Sequence, residues 1–286
     1  MSMSRKLQLM RRVSAASLNL PAGGRIGEFF RKRYAHHDQE ILLCDFDKNL
    51  KLYVNLSDHI GSQIFWYGRY SVDVLSLADR LLHRADVVLD IGANLGEFSV
   101  FAAKRVPDGV VHAFEPAQKL FSLAHRNIEA NGFNQAHVHG VGLSDHPGKF
   151  PIYKATTCGA DGSVNDGLNS LFNGAGLEVS ETIEVVRLDD WCGQNKVARL
   201  DLIKMDIEGA ELSALQGGEK ILRRLKPKMI VEVNETTCER AGYRSRDLVD
   251  YIVGLGYEIL NIDQRGRTHA ASDLNAVSRN VLCIPR

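Results

Sequence analysis

Asp90, Gly92, Asn94 and Gly96 fall within ten residues of one another in Val87-Val88-Leu89-Asp90-Ile91-Gly92-Ala93-Asn94-Leu95-Gly96-Glu97. The apolar run before them reads as a strand covered on both faces, and the glycines let backbone approach a ligand where a Cβ would collide. A dinucleotide-binding turn requires G-x-G-x-x-G, with a pyrophosphate resting on the following helix. Here the middle glycine is Asn94, the third position is Glu97, and Asp90 places an acid where a diphosphate would be repelled. A cationic ligand without phosphate suits this pattern. S-adenosylmethionine carries an ammonium and a sulfonium that Asp90 could hold directly or through water, and a carboxylate that exposed turn amides could bind.

Glu115 follows Asp90 by twenty-five residues, at the end of Val110-Val111-His112-Ala113-Phe114. Doubly wound folds place a ribose-binding carboxylate roughly 20 residues beyond the glycine turn, so Glu115 is the expected ribose ligand. A third strand, about residues 136–141, leads into Gly142-Leu143-Ser144-Asp145, whose Ser144 and Asp145 are expected beside an adenine, with Asp145 on its amino group. The competing readings are a helix-initiating acid for Asp90 and a surface carboxylate before a proline-started helix for Glu115.

The stretch Asp201-Leu202-Ile203-Lys204-Met205-Asp206-Ile207-Glu208-Gly209-Ala210-Glu211 reads as a further buried strand ending in acids. Ligands of parallel sheets sit beyond the carboxyl ends of the strands, so Asp206 and Glu208 should face the crevice of Asp90 and Glu115. A two-residue period puts Lys204, Asp206 and Glu208 on one side if the strand runs that far. Methyl transfer to a hydroxyl requires alignment of the acceptor and removal of its proton, which Asp206 or Glu208 could perform, with His59 as a further candidate acceptor. Glu208 and Glu211 could instead favour the N-terminus of a helix starting near Gly209. Asp206, Glu208 and Glu211 together could hold a hard divalent cation. A metal-free reaction is the expectation here, since the displacement leaves no large anion once the proton is taken.

These blocks, with Arg187-Leu188-Asp189-Asp190-Trp191, resemble the FkbM-type family of S-adenosylmethionine-dependent methyltransferases over roughly residues 61–234. The resemblance implies an O-methyltransferase acting on a hydroxyl of a sugar, glycan, glycolipid or macrolide-type natural product, and names no single acceptor. One departure is Ser71 in Gly68-Arg69-Tyr70-Ser71, where an acid is expected after the tyrosine. The alternatives are a nicotinamide-dependent oxidoreductase, which Asn94 and Asp90 disfavour, and an inactive binding protein that keeps a cofactor fold.

The elements that must position these residues follow from periodicity. The expected architecture is an α/β, Rossmann-like class I methyltransferase: a seven-stranded, mostly parallel sheet with an antiparallel edge and helices on both faces. Residues 1–84 form an N-terminal extension (basic arm, hairpin-like lead-in and helix) and residues 85–286 the catalytic domain. Residues 41–56 read as a hairpin turning at 45–49, and later elements are expected near residues 149–153, 182–188, 244–253, 257–262 and 280–284. The aromatics Phe65, Trp66, Tyr67 and Tyr70 serve either a sugar face or the core. Residues 158–176 read as a glycine-rich irregular loop suited to covering an acceptor. His137 and His139 share a strand face, as metal ligands can, but lack an evident third ligand.

The chain has 286 residues, 44% hydrophobic, with zero formal net charge, so no global field recruits nucleic acid. Five cysteines without a C-x-x-C pair suggest reduced thiols in a cytoplasmic compartment. No apolar run approaches the roughly 18–20 residues of a membrane span. Basicity is local: before residue 37, eight lysines and arginines face one acid, Glu28. That arm fits weak contact with a membrane surface, a solvated arm, or a packing or homo-oligomer-forming helix.

Overall fold

A computed structural model of the chain describes residues 4–17, 24–153, 178–270 and 279–286. The stretch 158–176 expected to cover the acceptor lies outside these residues. Two helices, α1 (Arg5–Ser17) and α2 (Gly24–Tyr34), precede the hairpin of β1 (Glu40–Phe46) and β2 (Leu50–Asn55) and then α3 (His59–Tyr67) and α4 (Val72–Leu81). Alternation of strand and helix begins at β3 (Val87–Ile91), continuing through α5 (Glu97–Arg105), β4 (Val110–Phe114), α6 (Gln118–Ala130) and β5 (Ala136–His139).

A small sheet follows, built from β6 (Gly142–Leu143), β7 (Gly148–Tyr153) and β8 (Val179–Val186) in the order β6-β8-β7. The chain then passes through α7 (Leu188–Gln194) into β9 (Leu202–Met205), α8 (Glu211–Gly217), α9 (Glu219–Leu225) and β10 (Lys228–Val233). It closes with α10 (Glu235–Arg240), α11 (Ser245–Gly254), β11 (Tyr257–Ile262), β12 (Thr268–Ala270) and β13 (Arg279–Pro285).

The main sheet has the order β12-β11-β13-β10-β9-β3-β4-β5. Strands β10, β9, β3, β4 and β5 run parallel, while β13, β11 and β12 pair antiparallel. It therefore has eight strands where seven were expected. The addition is β12, whose three exposed residues lack the apolar alternation that marks a strand. It returns along β11 from a turn in which the Asp263 carboxylate accepts from the Arg265 and Arg267 amides at 2.9 Å each. The third expected strand is shorter, because Gly142 and Leu143 leave the main sheet and pair with β8. Leu188 belongs to α7 instead of the preceding strand, and the helix expected near Gly209 begins at Glu211.

This order fixes the location of the site. The chain proceeds outward from β3 through β4 to β5, then returns to place β9 on the other flank of β3. The order reverses between β3 and β9, and the crevice beyond their carboxyl ends is where such folds bind ligands. Alternating β3 residues feed the two faces: Val88 joins a core with Trp66, Phe101 and Leu52, and Leu89 joins one with Met205, Trp191 and Tyr257.

The N-terminal elements are packed on this frame. Ser14 Oγ donates to the Trp66 carbonyl at 2.8 Å, and Leu7 shares the hydrophobic cluster of Trp66 and Val88. Asn127 on α6, fully buried, accepts from the Tyr53 amide at 2.6 Å and donates to the Leu95 carbonyl at 2.7 Å, tying the hairpin to the turn after β3.

Candidate active site

The turn after β3 wraps tightly because three of its residues adopt positive φ: Gly92 at 80°, Asn94 at 52° and Gly96 at 88°. A Cβ on Gly92 would sit 1.9 Å from the Asp206 carbonyl, so the β3 and β9 tips can approach this closely only with glycine there. Gly96 faces Ala124 of α6, 3.3 Å from where its own Cβ would lie, and spaces α5 from α6.

Glu115 lies just beyond β4 and ties the β3 turn to the start of α6. One carboxylate oxygen accepts from the Asn94 amide at 2.8 Å, the other from the Ala117 amide at 3.0 Å. Burial pushes its pKa up to about 7 despite these bonds, which favour the charged form. Glu115, Gly92 and Asn94 line a compartment whose other walls include Leu120, Leu143 and Ile183. Among the described residues, no Lys, Arg or His lines it.

Asp90 does not line that compartment. It is fully buried, accepts from Ser99 Oγ at 2.5 Å, and lies 3.5 Å from Lys204 Nζ. The two residues face each other in the parallel register of β3 and β9. Lys204 Nζ also donates to the Gly92 carbonyl at 2.7 Å, so this buried pair braces the turn. Burial works against the charge on Lys204, but Asp90 and Asp206 outweigh it and hold the pKa above the ordinary lysine value.

Ser144 and Asp145 also stand outside the lining, which here consists of Val141, Gly142 and Leu143. The Ser144 hydroxyl donates to Asp145 at 3.0 Å, and the exposed Asp145 carboxylate lies 2.8 Å from His146 Nδ1.

A second compartment adjoins the first and shares Gly92, Asn94, Asp206 and Glu208 with it. Lys204, Tyr70, Ser71 and Glu97 line it further. The strand supplying the acids ends at Met205, so alternation does not carry Asp206 and Glu208 to the same side. The turn does: Glu208 takes a left-handed φ of 54°. Glu211, fully buried, holds that turn by accepting from the Ile207 amide at 2.8 Å and the Gly209 amide at 3.0 Å. Its place beside Asp206 and Glu208 is taken by Glu232 of β10. Oxygens of Asp206, Glu208 and Glu232 come within 4.8 Å of one another, which among the described residues is the one cluster with metal-ligand spacing. Burial, with the charges of Asp206 and Glu211, raises Glu208 to about 8. Glu232 is pushed up by burial and by Asp206, and its buried Oε2 has no hydrogen-bond partner among the described residues.

The aromatic group divides cleanly. Phe65 and Trp66 are core, whereas Tyr70 reaches the second compartment. Both Glu97 oxygens hold the Tyr70 segment in place, accepting from the Tyr70 amide at 2.7 Å and the Ser71 amide at 3.2 Å. His59 lines neither compartment: its Nδ1 lies 3.2 Å from Arg31 Nη1, and its ring meets Tyr70 edge-on. His137 and His139 do gain a third imidazole, His112, with Nδ1 3.2 Å from His139 Nε2. These rings pack with Phe114 and Trp191, and burial lowers His112 and His139 to about 4.

The sequence profile of the methyltransferase FkbM domain matches residues 90–259, more than half of the chain and all of the site except its Tyr70 flank. The chain belongs to this family. Its sheet is accordingly the Rossmann-like class I methyltransferase sheet, extended by β12. Among relatives, Methyltransferase 1 of Beauveria bassiana is 31% identical over 54% of this chain and 66% of its own length. The 2-O-methyltransferase NoeI of Sinorhizobium fredii is 27% identical over 51% and 63%. The 31-O-demethyl-FK506 methyltransferase FkbM of Streptomyces tacrolimicus is 31% identical over 48% and 61%. Each match covers less than two thirds of the relative's own length. No helix among the described residues is long and apolar enough to cross a membrane.

Proposed function

We propose that the protein is an S-adenosylmethionine-dependent O-methyltransferase whose acceptor is a hydroxyl of a sugar, glycan, glycolipid or macrolide-type natural product. The observation that carries this reading is the composition of the first compartment: apolar walls, the Glu115 carboxylate, and no basic side chain among the described residues. A dinucleotide would bring a diphosphate into a space where none of the described lining residues offers a cation, whereas a phosphate-free nucleoside asks only for apolar walls and a ribose acceptor. Each Glu115 oxygen already holds one amide and retains a lone pair, suiting a vicinal diol. Asp206 and Glu208, where the compartments meet, would face the cationic end of the cofactor.

Bound there, S-adenosylmethionine supplies a methyl carbon activated by its sulfonium. The remaining work falls to the chain's own groups. The second compartment would align the acceptor, with Tyr70 offering an aromatic face and Glu97 fixing that segment. Asp206 or Glu208 would take the hydroxyl proton as the new O–C bond forms. A carboxyl raised to about 8 is a stronger base than an ordinary glutamate, and Glu232 stands close enough to share the proton. The names of NoeI and FkbM specify methylation at oxygen, which supports a hydroxyl as the acceptor atom.

Calorimetric titration with S-adenosylmethionine and with NAD⁺ tests the cofactor side, and S-adenosylhomocysteine release with candidate hydroxyl acceptors tests the chemistry. Binding of NAD⁺ in preference to S-adenosylmethionine would overturn the reading.

A further inference from the structure

Seven large hydrophobic side chains are markedly exposed among the described residues, and four of them, Leu9, Val13, Ile26 and Phe29, lie on α1 and α2. Leu9 and Phe29 are 63% and 66% exposed. They are not scattered. Leu7, Ser14 and Ser17 turn the opposite face of α1 inward, and Gly27 and Arg31 do the same for α2. Both inward faces meet α3: Ser14 bonds to the Trp66 carbonyl, and a Cβ on Gly27 would overlap the Tyr67 ring at 2.5 Å. α1 and α2 also pack against each other, which brings their outward faces side by side.

Arg5, Lys6 and Arg12 of α1, and Arg25, Lys32 and Arg33 of α2, are exposed around the apolar four. Glu28 is the single acid among the described residues up to Tyr34, held by Arg31 at 3.0 Å and by the exposed Lys32 at 3.7 Å. We propose that this face docks on an anionic phospholipid bilayer, with the apolar side chains entering the acyl boundary and the six bases meeting lipid headgroups.

Charge selects this occupant. A two-fold pairing with a second copy through the same face would set the six cations against six more, at a Coulombic cost. Nucleic acid would satisfy the bases but would leave Leu9 and Phe29 against phosphates. A bilayer accommodates both features, because long basic side chains keep their charge in the headgroup layer while apolar neighbours bury. The proposal is independent of the methyl-transfer reading.

The test is co-sedimentation of the full chain with vesicles of equimolar phosphatidylserine and phosphatidylcholine, against phosphatidylcholine alone. The expected result is partition onto the mixed vesicles only, weakening as salt rises. Leu9→Ser with Phe29→Ser, and separately Arg12→Glu with Arg33→Glu, should each lower partition by about tenfold or more. The folded circular dichroism spectrum should not change, because all four side chains are exposed. Absence of wild-type partition, equal partition onto phosphatidylcholine, or full partition by the charge-reversed variant would overturn the proposal. So would a dimer that Phe29→Ser abolishes, or retention on DNA, in a chain that ignores vesicles.

Discussion

Replacing Glu115 by Gln removes the negative charge while nearly conserving volume, which makes it the sharpest probe of the cofactor side. In the wild type, each carboxylate oxygen accepts one backbone amide, from Asn94 at 2.8 Å and Ala117 at 3.0 Å, and keeps a second lone pair for a ribose hydroxyl. In Gln, an NH₂ takes the place of one oxygen. It faces a backbone N–H donor to donor and offers no acceptor to one of the two hydroxyls. The ligand loses one charge-assisted hydrogen bond of about 1.5–3 kcal/mol, a drop in affinity of roughly tenfold to a hundredfold. Glu115→Ala is less clean, because it leaves two buried amides unpaired at about 1–3 kcal/mol each.

The same carboxyl gives a pH signature. Burial holds it at about 7, and ribose hydroxyls bind the ionised form. Binding must therefore release a proton when the pH is below 7. Affinity should fall by nearly tenfold per pH unit well below that value and level off above it. Titration of 5′-methylthioadenosine, which keeps the adenosine and lacks the ionisable amino acid, reads this without interference from the ligand. Calorimetry from about pH 5.5 to about pH 8.5 should show the slope in the wild type and none in Glu115→Gln. Equal affinity of the two proteins at the alkaline end, or a slope retained by the variant, would place the ribose elsewhere.

Asp206→Asn should lower turnover by about 10²–10⁴-fold, far more than it weakens S-adenosylmethionine binding; if Glu208→Gln carries that loss instead, Glu208 is the base. Lys204→Met strands the buried Asp90 and should cost about 3–5 kcal/mol in urea unfolding, largely restored by adding Asp90→Leu. Glu115 and Glu211 at about 7 and Glu208 at about 8 keep protons that the unfolded chain has released above about 4.5, so their stabilising contribution is present below that pH and is lost as pH rises through 7 to 8. Melting temperature should accordingly fall between about pH 4.5 and 8, less steeply in Glu208→Gln; a flat profile would contradict the burial of these acids. Turnover should survive exhaustive chelation, since proton removal by a carboxylate leaves no anion requiring a Lewis acid; loss restored by Mg²⁺ alone would make Asp206, Glu208 and Glu232 its ligands.

The parallel core of the fold is legible in the sequence because buried strands flanked by helices leave continuous apolar runs. Val87–Ile91 and Val110–Phe114 are strands at the bounds their composition suggests. β12 is not legible: Thr268, His269 and Ala270 are exposed, and only backbone pairing with β11 makes them a strand. The departure of Gly142 and Leu143 into the small sheet is equally silent, since a two-residue strand carries no period. Asp90 looks like a ligand because acids at strand tips commonly are. What composition conceals is that Lys204, 114 positions later, stands opposite it in register and takes up its charge.

The acidic junction illustrates the same limit more sharply. Asp206 and Glu208 are conspicuous as polar residues ending an apolar run, but Glu211, equally conspicuous, spends both oxygens on the turn's own amides. Glu232 is the residue that completes the group. Its signal is faint yet physical, a charged side chain inside Lys-Met-Ile-Val-Glu-Val, where a buried parallel strand should carry none. Reading it correctly requires the neighbour of β10 and its register: Val231 pairs with Met205, so the next residue along each strand brings Glu232 beside Asp206. Burial, with the charge of Asp206 beside them, raises the proton affinity of Glu208 and Glu232, and under the proposed reading that suits the corner to accepting a proton from a weakly acidic hydroxyl.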